Sequence, residues 1–121
     1  MKKYLISALA LGAMATNLNA ECTPAKYSSG GGGVCNNVNI TGLVVNTKGT
    51  LIATSGDEVE VSLECKPISK TYLLLRKDHP NYEIMHSTLL ATQISGKKAN
   101  IRIIRNDKTG KCNVLHMRIN N

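Results

Sequence analysis

The four cysteines, Cys22, Cys35, Cys65 and Cys112, are the residues of this 121-residue chain best suited to covalent chemistry. Zinc knuckles place two cysteines two to four residues apart, and thiol–disulfide catalysts use a C-x-x-C pair; neither spacing occurs here. Cross-linking remains. Four cysteines admit three pairings, of which the sequence favours Cys22–Cys35 as a local clip and Cys65–Cys112 as a long-range staple.

The rest of the catalytic inventory is thin. His79, His86 and His116 fall on a loop, a helix and a strand, with no His-Glu-x-x-His motif to bring two of them to one metal. No serine occupies a Gly-x-Ser-x-Gly elbow. Glu58, Glu60 and Glu64 share one face of a strand pattern, which is the ordinary solvated side. The sequence thus indicates no enzyme, no metal site and no cofactor.

The first residues form a targeting device. Lys2 and Lys3 precede an uncharged, mostly apolar run from Tyr4 to Ala15, and Leu18-Asn19-Ala20 offers a small residue at a cleavage position. The run is shorter than the about 20 apolar residues that span a bilayer, so residues 1–20 read as a signal peptide and no membrane span is expected. Export to the periplasm or beyond would oxidise the thiols. The leader holds two of the 15 basic residues and none of the eight acidic ones, so its removal lowers the formal net charge from +7 to +5.

Lys97, Lys98, Arg102, Arg105, Lys108, Lys111 and Arg118 crowd the last quarter of the chain, opposed there by Asp107 alone. Such a basic patch suits acidic partners or a solvated sheet edge. Beyond the leader the only aromatic residues are Tyr27, Tyr72 and Tyr82. Single-stranded nucleic acid is bound largely by stacking on such rings, so no nucleic-acid partner is expected.

The elements that must position these residues follow from periodicity. Residues 21–34, with Pro24 and the run Gly30 to Gly33, read as a linker clipped by the first disulfide, ahead of one domain at 35–121. Val38 to Val45 reads as a strand buried on both faces, and Leu51 to Thr54 as a second strand beyond a turn at Lys48-Gly49. Glu58 to Cys65 alternates cleanly, with Cys65 facing the core. Tyr72 to Leu75 is ambiguous between strand and helix. Tyr82, Met85, Leu89 and Ile94, with Ile84, Leu90 and Ala91 beside them, recur at helical spacing until Gly96. That helix, about residues 80–95, would present Glu83, His86, Ser87 and Gln93 to solvent. Ile101 to Ile104 and Leu115 to Ile119 then form a hairpin around Asn106 to Gly110. The class is α+β, mainly β: a small curled antiparallel sheet or barrel with one amphipathic helix.

Tyr82 to Lys98 followed by Ala99 to Ile104, together with Ile40-Thr41-Gly42-Leu43-Val44-Val45, resembles the helix–glycine–strand unit and first strand of subtilase cytotoxin B-subunit-like proteins. The resemblance implies an oligonucleotide/oligosaccharide-binding (OB) fold, a glycan or protein partner, and a homo-oligomeric ring of five. It also implies a sugar contact at Thr41, the hydroxyl residue ahead of the first strand's apolar run. A second reading from the small size, the disulfides and the basic hairpin is a periplasmic inhibitor or immunity-type protein acting by protein–protein contact.

Overall fold

The computed structural model of the chain describes residues 20–25, 31–54 and 63–120. The leader expected up to residue 20, apart from Ala20, the turn expected at 55–57, most of the alternating strand expected at 58–65, and Tyr27 lie outside the described residues.

Seven strands form one mixed sheet: β1 (Glu21–Pro24), β2 (Gly32–Val38), β3 (Ile40–Asn46), β4 (Gly49–Thr54), β5 (Tyr72–Arg76), β6 (Ala99–Arg105) and β7 (Cys112–Ile119). One helix, α1 (Tyr82–Ser95), lies between β5 and β6. The order across the sheet is β1-β2-β6-β7-β5-β4-β3. Neighbours pair antiparallel except β5 and β7, which run parallel with Leu74 opposite Asn113. Among the described residues the fold is therefore mainly β with one helix, as the periodicity indicates.

Asn39 alone separates β2 from β3, yet β2 pairs with β6 and β3 pairs with β4, on opposite sides of the sheet order. Residues 32–46 thus act as one bent strand serving both ends of the sheet. Among the described residues no ladder joins β1 to β3, and the seven-stranded sheet is not closed. A bulge between Cys35 and Val38 makes the bend, with Asn37 at φ 58°. Asn100 Oδ1 accepts from the Asn37 amide N–H at 3.1 Å, and Asn120 Nδ2 donates to both Asn100 Oδ1 at 2.7 Å and Asn37 Oδ1 at 3.2 Å.

Three expectations need correction. The segment expected to be a linker holds strand β1 and the start of β2, paired with Thr23 opposite Val34 and Cys22 opposite Cys35. Its glycines meet a packing requirement. A Cβ on Gly33 would strike the Thr23 carbonyl oxygen and the Leu63 side chain, so only glycine lets β1 and residue 63 approach so closely. Second, β3 is not doubly buried: among the described residues it ends the sheet, and Val44 and Val45 are exposed, Val45 by 61%. Third, the helix buries Met85, Leu89 and Thr92, while Ile84 and Ile94 are 71% and 85% exposed. At about 100° per residue Ile94 lies some 140° around the axis from Leu89, too far to share its face.

Core residues Val38, Ile52, Leu73, Leu75, Leu89, Ile101 and Ile103 are fully buried. The α1 helix packs on β3, β5 and β7. Its inward stripe contains polar groups, each satisfied. Thr92 Oγ1 donates to the Thr88 carbonyl at 2.7 Å. Buried Thr50 on β4 lies 2.8 Å from both Tyr82 Oη and His86 Nδ1, and its hydroxyl, with one proton and two lone pairs, can bond both. His86 is therefore a half-buried strut on the sheet, not a solvent-facing residue. His79 is another. The Asn81 amide N–H donates to its Nδ1 at 3.0 Å, which leaves the proton on Nε2 to be donated to the Leu115 carbonyl at 2.7 Å.

The disulfides pair as the sequence favours: Cys22 with Cys35, 13 residues apart, and Cys65 with Cys112, 47 residues apart. Loop closure makes the longer bridge the more stabilising, at about 4 kcal/mol against about 3 kcal/mol. Cys65→Ala/Cys112→Ala should lower unfolding free energy in urea more than Cys22→Ala/Cys35→Ala does; the reverse order would contradict this account. Thr50→Val should cost about 1–2 kcal/mol in the same assay, whereas the exposed Thr71→Val should cost little.

Candidate ligand-binding groove

Period-two alternation places Thr50, Ile52, Leu73 and Leu75 in the core and turns Leu51 and Leu74 to the opposite face. Leu51 and Leu74 are cross-strand partners, and Leu74 pairs in turn with Asn113 on β7. These three residues make the floor of a groove of about 790 Å³.

Three turns wall it. The first joins β3 to β4. Asn46 Oδ1 accepts the amide N–H of Lys48 at 2.8 Å and of Gly49 at 3.2 Å, an Asx turn that presents Thr47 and Lys48 to the groove. The second joins β6 to β7 and is built alike. Asn106 Oδ1 accepts from Lys108 at 2.9 Å and Thr109 at 3.3 Å, presenting Lys108 and Thr109. Arg76, Lys77 and Asp78 at the end of β5 form the third, held to the first because the Lys77 amide N–H donates to the Lys48 carbonyl at 2.9 Å.

The longer disulfide stands directly behind the second wall. Lys66 bridges Lys111 in parallel, with the Lys66 amide N–H donating to the Gly110 carbonyl at 2.9 Å and Cys112 N–H to the Lys66 carbonyl at 3.0 Å. Cys65 and Cys112 flank this bridge, so their cross-link fixes the 106–111 turn against the floor.

The groove is electropositive. Among the described residues, Lys48, Arg76, Lys77, Lys108 and Lys111 line it, with Asp78 as the single carboxylate. Arg76 Nη2 holds Asp78 Oδ2 at 2.6 Å. The remaining lining is amide, hydroxyl and aliphatic: Asn46, Thr47, Asn106, Thr109, Asn113 and Ile68 complete it. Among the described residues that line it there is no histidine, cysteine or aromatic ring. Such a lining can hold a polar, anionic ligand; it offers no nucleophile–base pair.

Of the seven cations expected to form one basic patch, only Lys108 and Lys111 reach the groove. Arg105 lies 3.9 Å from Asp107 on the neighbouring turn. Arg102 and Arg118 sit with His116 on the exposed face of the β6–β7 hairpin, and Lys97 and Lys98 follow the helix. Thr41 is exposed at a bulge in β3, its carbonyl accepting from Gln93 Nε2 at 3.5 Å. It lies at the other end of β3 from the groove, roughly 17 Å from Asn46 by strand rise. Among the described residues, no three His, Cys, Asp or Glu side chains gather as a metal site, and no helix is long and apolar enough to cross a membrane.

Lys48, Arg76 and Lys77 escape the sequence reading because they come from separate turns. The usable cue is the repeated pattern Asn46-Thr47-Lys48-Gly49 and Asn106-Asp107-Lys108-Thr109-Gly110. Searches against protein-family models, curated proteins and solved structures found no match.

Gly49 secures the first wall. Its φ is 144°, and a Cβ there would strike the Leu75 carbonyl oxygen and come within 2.9 Å of the Lys77 nitrogen. Gly96, at φ 69°, has open space around it. Gly96→Ala should therefore cost about 1 kcal/mol of left-handed strain, and Gly49→Ala about 2 kcal/mol more, measured by urea unfolding. Equal costs would contradict the close approach of β5 to this turn.

Proposed function

We propose that the protein is an exported, disulfide-stabilised binding module that holds a glycan in the groove and performs no catalysis. The groove itself carries this reading. Its amides and hydroxyls stand around the Leu51 and Leu74 side chains, at the end of an OB-like sheet where the β3–β4 turn, matching the turn between an OB fold's first two strands, meets the turn of the β6–β7 hairpin. OB folds hold oligosaccharides and oligonucleotides at that position. The leader motif and the two bridges support export. The resemblance to toxin B subunits also favours a sugar ligand, but through Thr41, so the two supports point to different ends of β3.

A second reading has its own observation. From Val38 to Thr47 the chain carries no charge and no proline, Val44 and Val45 are exposed, and among the described residues β4 is the only ladder partner of β3. An unguarded edge of this kind accepts an added strand, which would suit an inhibitor acting by protein–protein contact.

A glycan array probed with three variants separates these readings. Thr47→Trp, which fills the groove from an exposed turn, should reduce glycan binding at least about tenfold, with Thr41→Ala and Val45→Lys within about twofold of wild type. Loss on Thr41→Ala alone would move the sugar site to the other end of β3. Absence of any glycan signal, with a protein partner lost on Val45→Lys, would favour the edge-strand reading.

A further inference from the structure

We infer that the groove selects a linear polyanionic glycan, one bearing sulfate or carboxylate groups on successive sugars. This inference rests on the groove being the binding site and adds the class of ligand.

The first support is the balance of charge. Among the described residues five cations face one carboxylate, and that carboxylate is already held by Arg76 at 2.6 Å. Lys48, Lys77, Lys108 and Lys111 form no ion pair among the described residues. Four like charges around one groove repel one another, an arrangement that an anionic ligand relieves.

The second support is how the charges are distributed. Lys48 and Lys108 occupy the same position, two residues after the asparagine, in two matching Asx turns on different walls. Lys77 and Lys111 extend the positive lining along the groove. A single phosphate or carboxylate is normally captured by donors converging on one point, often backbone N–H groups or a bidentate arginine. Here the turn N–H groups of residues 48, 49, 108 and 109 are already used by asparagine side chains. The one lining arginine is held by Asp78. What remains is a set of separate ammonium point charges on flexible stems, which fits repeated anions along a chain.

The third support separates glycan from nucleic acid. Both are polyanions, but stacking on aromatic side chains contributes about 1–3 kcal/mol per base to single-strand binding. Among the described residues no ring lines this groove, while five amide or hydroxyl side chains do, as hydroxyl-rich sugars require.

The test uses the full chain and four immobilised probes of matched length: a sulfated glycan, a uronate glycan, a neutral glycan and a single-stranded oligonucleotide. Lys48→Gln/Lys108→Gln is compared with Arg102→Gln/Arg118→Gln, whose cations lie outside the groove. The inference expects wild type to bind one or both anionic glycans in preference to the other probes. The groove variant should lose at least about tenfold, with a shallower dependence of log affinity on log salt. The Arg102/Arg118 variant should stay within about threefold. Preference between the sulfated and uronate probes then names the anion. Equal losses in both variants would overturn the inference in favour of diffuse surface charge, and an oligonucleotide bound as tightly as the anionic glycans would also overturn it. Neutral-glycan binding that survives Lys48→Gln/Lys108→Gln but is lost on Thr47→Trp would overturn it while leaving the groove as the site. Binding to none of the probes would remove both.

Discussion

The bond between Cys65 and Cys112 joins two segments 47 residues apart at the point where the sheet gives way to the groove. On one side of it Lys66 and Lys111 bridge, and Gly110 accepts the Lys66 amide, so the 106–111 turn cannot swing away from β7. On the other side Asn113 continues into the floor beside Leu74. A single covalent constraint thus sets the wall, the floor and the spacing between them. In a domain this small, with no Trp or Phe to enlarge its core, such a constraint is a large share of total stability. The reduced chain would therefore differ in stability and in the shape of the groove together.

The remaining walls depend on how the sheet curls. Because residues 32–46 serve both β6 and β4, the sheet bends around its core. The β3–β4 turn and the β6–β7 turn then stand over the same three-strand floor. The helix contributes at the core side. Thr50, Tyr82 and His86 tie it to β4, and His79 ties its approach to β7, while the groove occupies the other face of β4 and β5. Core packing and groove lining are thus divided between alternate residues of the same strands: Ile52 and Leu73 toward the core, Leu51 and Leu74 toward the groove.

Much of the frame was legible in the sequence because it rests on local signals. Gly96 stops the helix in the left-handed conformation, the hairpin turns around Asn106 to Gly110, and Cys65 faces the core, each as patterning indicates. What was hidden depends on contacts distant in sequence. Gly31 and Gly33 resemble a flexible linker until Glu64 is seen pressed against the first, and Thr23 and Leu63 against the second. Val44 and Val45 look like core because alternation cannot reveal that β3 ends the sheet. Thr92 is a buried helix residue that polarity argues against, and its bond to the Thr88 carbonyl makes it tolerable. The groove was the least legible part: Lys48, Arg76 and Lys108 come from three turns that no single stretch of sequence unites, and the count of basic residues near the C-terminus drew attention to Arg102 and Arg118 instead.

The central claim is that ligand meets the protein on the floor and turns next to the Cys65–Cys112 bond. Amide chemical-shift mapping by NMR, during titration of the oxidised protein with a sulfated oligosaccharide, tests it most directly. The account predicts the largest shifts at Lys48, Lys77, Thr109 and Asn113, saturating together. Shifts centred on Thr41 and Gln93, or on Arg102 and His116, with the groove amides unmoved, would contradict it.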